Sequence, residues 1–86
     1  MARYRILFRR SVAKDLRDIP RKDVQRILRA IEGLAENPRP PQSAKLSGDD
    51  KYRLRCGVYR VLYQIEDDQL VVYFVRVRHR REAYRN

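Results

Sequence analysis

The hydrophobic period of this chain changes once, and that change limits the folds open to it. From Val12 to Ala35 the apolar residues recur at the three- and four-residue spacing of helices. From Tyr52 to Arg78 they alternate with polar residues, the spacing of half-buried strands. Helices followed by strands on short turns fold as helices laid against an antiparallel meander. The expected class is α+β: two N-terminal helices packed on one face of a four- to five-stranded, mainly antiparallel sheet, in a single domain over residues 1–86.

Tyr4, Ile6 and Phe8 alternate with Arg5, Leu7 and Arg9, which predicts an N-terminal strand buried on at least one face. Ser11 is a plausible N-cap for a short helix through Asp18, with Val12, Leu16 and Ile19 inward, and Pro20 stops it. A second helix starts near Arg21, with Val24, Ile27, Leu28, Ile31, Leu34 and Ala35 recurring at helical spacing and Arg26, Arg29 and Glu32 on its polar side. The prolines of ENPRPPQ, Glu36 to Gln42, end it. A brief strand at Lys45 and Leu46, a turn at Ser47 to Asp50 and a strand from Tyr52 to Arg55 follow. Cys56-Gly57 is read as a tight turn, Val58 to Glu66 as a strand, Asp67-Asp68 as a hairpin turn, and Leu70 to about Arg78 as the last strand.

The net charge of +10 is extreme for 86 residues and points to an anionic partner. A membrane partner is disfavoured, because there is no spanning apolar run or signal-peptide core, so cytoplasmic residence is the expectation. The lone Cys56 forms no intramolecular disulfide; its cationic neighbourhood permits a reactive thiol, and an unreactive turn-edge residue is the plainer reading. One His and one Cys make no metal-ligand set, and no Gly-rich phosphate loop or other cofactor motif is present.

Strand alternation sorts the cations. Tyr59, Val61, Tyr63 and Ile65 share one face of their strand, and Arg60, Leu62 and Gln64 the other. Tyr52 and Leu54 oppose Arg53 and Arg55; Val75 and Val77 oppose Arg76 and Arg78. If the apolar sets all face the helices, Lys51, Arg53, Arg55, Arg60, Arg76 and Arg78 converge on the outer face as a basic floor. The alternative is an ordinary solvated charged face.

Arginine suits such a floor, since its planar fork grips phosphate oxygens bidentately and keeps its charge. A basic sheet suits single-stranded RNA, and Tyr84 offers stacking, chemistry or an anchor for the C-terminus. RNA cleavage without a metal needs a base for the 2′-OH, charge to stabilise the phosphorane and an acid for the leaving 5′-oxygen. Lys45, Arg53, Arg55 and Arg60 meet the second need by fixed charge. His79 is the chemical candidate for proton transfer, imidazole being the side chain made for it, yet strand parity puts it with Val75 and Val77 towards the helices. A Tyr84 phenol among Arg80, Arg81 and Arg85 is a physically reasonable base.

SVAKDLRDIP, IEGLAENPRPPQSAKLSG and YRLRCGVYRVLYQIEDDQLVVYFVRVRHRREAYR together resemble the RelE branch of the RelE/ParE toxin superfamily across nearly the whole chain. YRLRCGVYRVLYQI and the basic C-terminal segment are the most specific parts. The resemblance implies the toxin of a toxin–antitoxin pair: an mRNA interferase, a metal-independent and cofactor-free endoribonuclease that cuts in the ribosomal A site through 2′-OH attack and so inhibits translation. By position in the motifs, Arg60 looks like the phosphate-holding arginine, Arg80 like a second catalytic arginine and Tyr84 like the C-terminal base or stacking tyrosine. The alignment also allows Arg81 in the place of Arg80. Arg53 and Arg55 stand where some relatives carry lysines, and Lys45, Lys51, Arg76, Arg78 and Arg81 are the further RNA-binding candidates. Arginine cannot donate a proton as lysine can, so that duty moves to Tyr84, His79, water or ribosomal RNA. The implied partners are mRNA, the ribosome and a cognate antitoxin, acidic or with an acidic amphipathic segment, through which the complex would bind operator DNA. The alternatives are a ParE-like inhibitor that contacts DNA gyrase and catalyses nothing, and an RNA-binding module without cleavage.

Overall fold

The two periods become the elements they predict. The computed structural model describes residues 3–46 and 51–79. In chain order these are β1 (Arg5–Phe8), α1 (Arg10–Arg17), α2 (Arg21–Leu34), β2 (Ser43–Lys45), β3 (Lys51–Cys56), β4 (Tyr59–Glu66), a 3-10 turn (Asp67–Gln69) and β5 (Val71–His79). The five strands lie in the order β1-β5-β4-β3-β2. Every neighbouring pair is antiparallel except β1 and β5, which the helical connection makes parallel. The turn expected at Ser47 to Asp50 lies outside the described residues. No helix among the described residues is long and apolar enough to cross a membrane.

Val12, Ile27, Ile31 and Leu34 from the helices close over Tyr52, Leu54, Val61, Tyr63, Ile65, Val72, Phe74 and Val77 of the sheet. The aromatic rings stack in a line: Tyr63 lies 5.7 Å from Tyr52 and 5.6 Å from Phe74 between centroids. The buried Tyr63 hydroxyl donates to the Pro38 carbonyl at 2.8 Å, which ties the proline loop after α2 to the core. The N-terminal strand is less buried than its alternation suggests: as an edge strand it leaves Leu7 and Phe8 40% and 48% exposed, with Phe8 stacked on Phe74.

Three local expectations are corrected. Ser11 is not the N-cap; Arg9 holds that position without a side-chain cap, and Ser11 sits inside α1. A tertiary demand takes its hydroxyl. β1 covers the edge of β5 only from Val71 to Phe74, so the backbone beyond it needs other partners. Ser11 Oγ donates to the Val75 carbonyl at 2.6 Å, and Asp15, one helical turn on, accepts the Val77 N–H at 2.9 Å. The turn between β3 and β4 is Gly57-Val58, one residue later than expected, because Cys56 still pairs with Tyr59. Gly57 carries the positive φ of 62° and Val58 does not, the pattern of a II′ hairpin. A side chain at 57 would also meet Arg26 Nη1 at 2.8 Å.

The third correction concerns Val75. A register shift between Leu62 and Tyr63 sets Leu62 against Arg76 but Tyr63 against Phe74, leaving Val75 as the extra residue. Val77 joins the core as expected, whereas Val75 lines a recess with Leu62 and Leu46. On the edge strand Lys45 pairs with Tyr52, so its Cβ lies on the helix side, while Ala44 faces Arg53.

At the far end of the sheet Asp67 collects an ionic cluster. Arg39 donates to both its carboxylate oxygens, at 3.2 and 2.8 Å, and the Tyr4 hydroxyl donates to Oδ1 at 2.7 Å. Arg39 Nε also reaches the Tyr52 hydroxyl at 2.9 Å. The Arg39 guanidinium and then the Tyr4 hydroxyl hold the Asp67 carboxyl below the usual carboxylate range. A carboxyl depressed by folding stabilises above its unfolded value of about 3.9 and loses that contribution as pH falls through the folded value. The melting temperature of Asp67→Asn is therefore expected below wild type at pH 6, with the gap closing under pH 4. A gap constant from pH 6 to pH 2 would remove the linkage.

Candidate functional site

Three antiparallel strands place their cations in rows. Arg55 lies opposite Arg60, and Arg60 opposite Arg78, so one arginine from each of β3, β4 and β5 stands side by side on the face away from the helices. The next row on that face is Arg53, Leu62 and Arg76, and Lys51 lies opposite Gln64 beyond it. Like charges directly across strands repel, so the row costs the free chain stability.

Arg60 is the centre of this arrangement. It is only 5% exposed. One Nη donates to the Tyr59 carbonyl at 3.3 Å, and Nε has no hydrogen-bond partner. Among the described residues no carboxylate pairs with it. A buried guanidinium flanked by two others concentrates positive charge in a way that suits an anion.

Arg76 is held differently. Its Nε lies 3.2 Å from Asp15 Oδ2, close enough for an ion pair but at an angle short of a hydrogen bond. The same carboxylate that completes the β5 edge thus draws Arg76 towards α1. Asp15 was invisible as a site residue in the sequence, since an acid in a basic amphipathic helix carries no periodic signal.

The structure brings Arg53, Arg55, Arg60 and Arg78 together on one face, with Lys51 at its margin. It leaves Lys45 off that face and turns Arg76 to its edge. Arg80, Arg81 and Tyr84 lie outside the described residues. His79 pairs with Tyr59, its ring edge-on at 5.6 Å, and lines a cleft of about 280 Å³ with Asp15, Asp18, Ile19 and Val77. This cleft is on the helix side, away from the arginine row.

Cys56 is buried beside Arg26. Burial pushes its thiol up, outweighing the opposing pull of Arg26, and thiolate is the reactive form. Native protein is expected to react with an aromatic disulfide reagent at less than about a tenth of the rate of urea-unfolded chain. Equal rates would make Cys56 an accessible thiol.

The sequence matches the family described as ParE toxin of type II toxin-antitoxin system, parDE, over residues 6–84. It is 31% identical to toxin RelE1 of Methanocaldococcus jannaschii, covering 98% of each chain. The chain belongs to the RelE/ParE toxin superfamily, in its RelE branch. Toxin RelG of Mycobacterium tuberculosis is 30% identical over 95% of this chain and 97% of its own. The RelE fold is equally clear. A crystal structure of the archaeal RelE–RelB complex from Pyrococcus horikoshii matches with a TM-score of 0.82 and 31% identity, over 93% of this chain and 97% of that one. The toxin–antitoxin complex RelBE2 from Mycobacterium tuberculosis matches with a TM-score of 0.79 and 27% identity, over 91% and 99%.

Proposed function

We propose that this RelE-branch chain is the toxin of a RelBE-type pair and an endoribonuclease that cuts mRNA in the ribosomal A site, in the cytoplasm. The observation that carries the reading is the buried Arg60 guanidinium, without a carboxylate partner among the described residues and flanked across the strands by Arg55 and Arg78. Such a group fits a phosphate that gains charge during reaction. In the step, the ribose 2′-oxygen loses its proton and attacks the adjacent phosphorus. The phosphorus–O5′ bond breaks, leaving a 2′,3′-cyclic phosphate, and the departing O5′ takes up a proton.

Arg60, with Arg55 and Arg53, stabilises the phosphorane by fixed charge in the role a metal ion plays elsewhere. Arginine cannot supply the proton. His79 shares the helix-side face with Val77, so Tyr84, water or ribosomal RNA remains for proton transfer. Arg80 or Arg81 is the second catalytic arginine.

The partner is an antitoxin with an acidic amphipathic segment, because its task is to cover a basic protein and suppress it. Solved relatives are themselves RelE–RelB complexes. The ParE description of the matching family favours a second reading, a gyrase contact without catalysis.

Antitoxin-free protein incubated with programmed ribosomes and a defined mRNA separates the two. Primer extension is expected to map new 5′ ends inside the A-site codon. No cleavage by folded protein, together with inhibition of gyrase supercoiling, would replace the nuclease with the second reading.

A further inference from the structure

The arginine-bearing face carries an apolar recess of about 160 Å³ lined by Leu46, Leu62 and Val75 together with Lys51 and Tyr63. Three aliphatic side chains gathered beside Arg53 and Arg76 on this face are out of keeping with a merely solvated sheet. The bulge is what assembles them. In an unbroken strand Val75 would share the inner face with Val77; the extra residue at 75 places it beside Leu62 instead.

Leu62 stands directly between Arg53 and Arg76 and two residues along β4 from Arg60, about 6.6 Å on the strand rise. That step is comparable to the distance between neighbouring nucleotides of an extended strand. A phosphate on the arginine row would thus leave the base of an adjacent nucleotide over the recess.

We infer that the Leu46–Leu62–Val75 recess is a nucleobase slot that seats one base of a single-stranded RNA whose phosphates lie on the Arg55–Arg60–Arg78 row. The inference rests on the nuclease reading of that row and adds a second contact to it. The volume suits one ring system, and chiefly aliphatic walls grip the face of a base without reading its edge. Cations beside the slot favour a nucleotide over an uncharged apolar side chain.

The test uses full-length, antitoxin-free protein and a fluorescein-labelled 2′-O-methyl trinucleotide, which has no free 2′-OH to attack. A set with one abasic residue moved through the three positions accompanies it. Anisotropy at fixed low salt is expected to show about fivefold or greater weakening for one abasic position. Leu62→Ser and Val75→Ser, on two different strands, should each reproduce that loss with the intact trinucleotide and leave the abasic one unaffected. Arg60→Ala should weaken both and lower the salt slope by about one.

Equal wild-type affinity for all the oligonucleotides overturns the slot while cleavage on ribosomes still upholds the nuclease. Absence of both binding and cleavage overturns both. Variants that bind the trinucleotide normally but lose affinity for an acidic antitoxin peptide would give the recess to a protein partner and overturn the slot.

Discussion

Arg60→Ala is expected to lower A-site cleavage by about a hundred- to a thousandfold, the usual effect of deleting one preorganised donor to a developing anion. Its melting temperature should stay within about 5 °C of wild type, because two small terms oppose each other. The aliphatic stem of Arg60 loses packing, but the repulsion from Arg55 and Arg78 on either side is relieved. No ion pair among the described residues is broken, and the unpartnered Nε is removed. Arg60→Lys should recover little activity, since a point charge does not reproduce the bidentate fork. Full cleavage by either variant, or a fall in melting temperature beyond about 10 °C in Arg60→Ala, would make Arg60 a structural residue.

Val61→Asp is expected to abolish the fold. Val61 is 0% exposed and packed between the helices and the sheet, opposite Leu54 and Val77. A domain of this size has about 4–13 kcal/mol of stability in total, and an unpaired buried carboxylate removes a large part or all of it. Leu62→Asp, one residue on, is the informative control. Alternation puts it on the outer face between Arg53 and Arg76, where a carboxylate finds opposite charge. Dispersed amide spectra for Leu62→Asp and collapsed ones for Val61→Asp would fix the two faces of β4. A well-folded Val61→Asp would invert them.

The faces of β3 and β4 were legible because each residue there has its partner directly opposite, so a period of two survives into three dimensions. β5 reads just as regularly in the sequence, FVRVRH, yet it is bulged. Nothing local announces this; the shift belongs to the pairing with β4, in which Tyr63 must meet Phe74 in the aromatic line while Val61 meets Val77. Ser11 was read correctly as a residue that bonds to backbone and wrongly as to whose backbone, since the uncovered edge of β5 outcompetes the helix start. Arg39 and Asp67 are 28 residues apart and escaped notice altogether, because charges off a periodic face look alike in sequence. At the site, the arginine row followed from parity, while the place of Lys45 depends on the register of a three-residue edge strand that the sequence does not signal. The resemblance supplied roles for Arg80 and Tyr84 that alternation cannot assign.

The pairing of α1 with the β5 edge has a spectroscopic consequence. The Val77 amide is protected by a side-chain carboxylate on a helix, not by a neighbouring strand. Its hydrogen exchange therefore times the lifting of α1 from the sheet, while the amides of β3 and β4 time the opening of the whole molecule. A single cross-peak thus gauges how firmly the strand bearing Arg76 and Arg78 is held, and any ligand that tightens the helix against it should slow that one peak ahead of the rest.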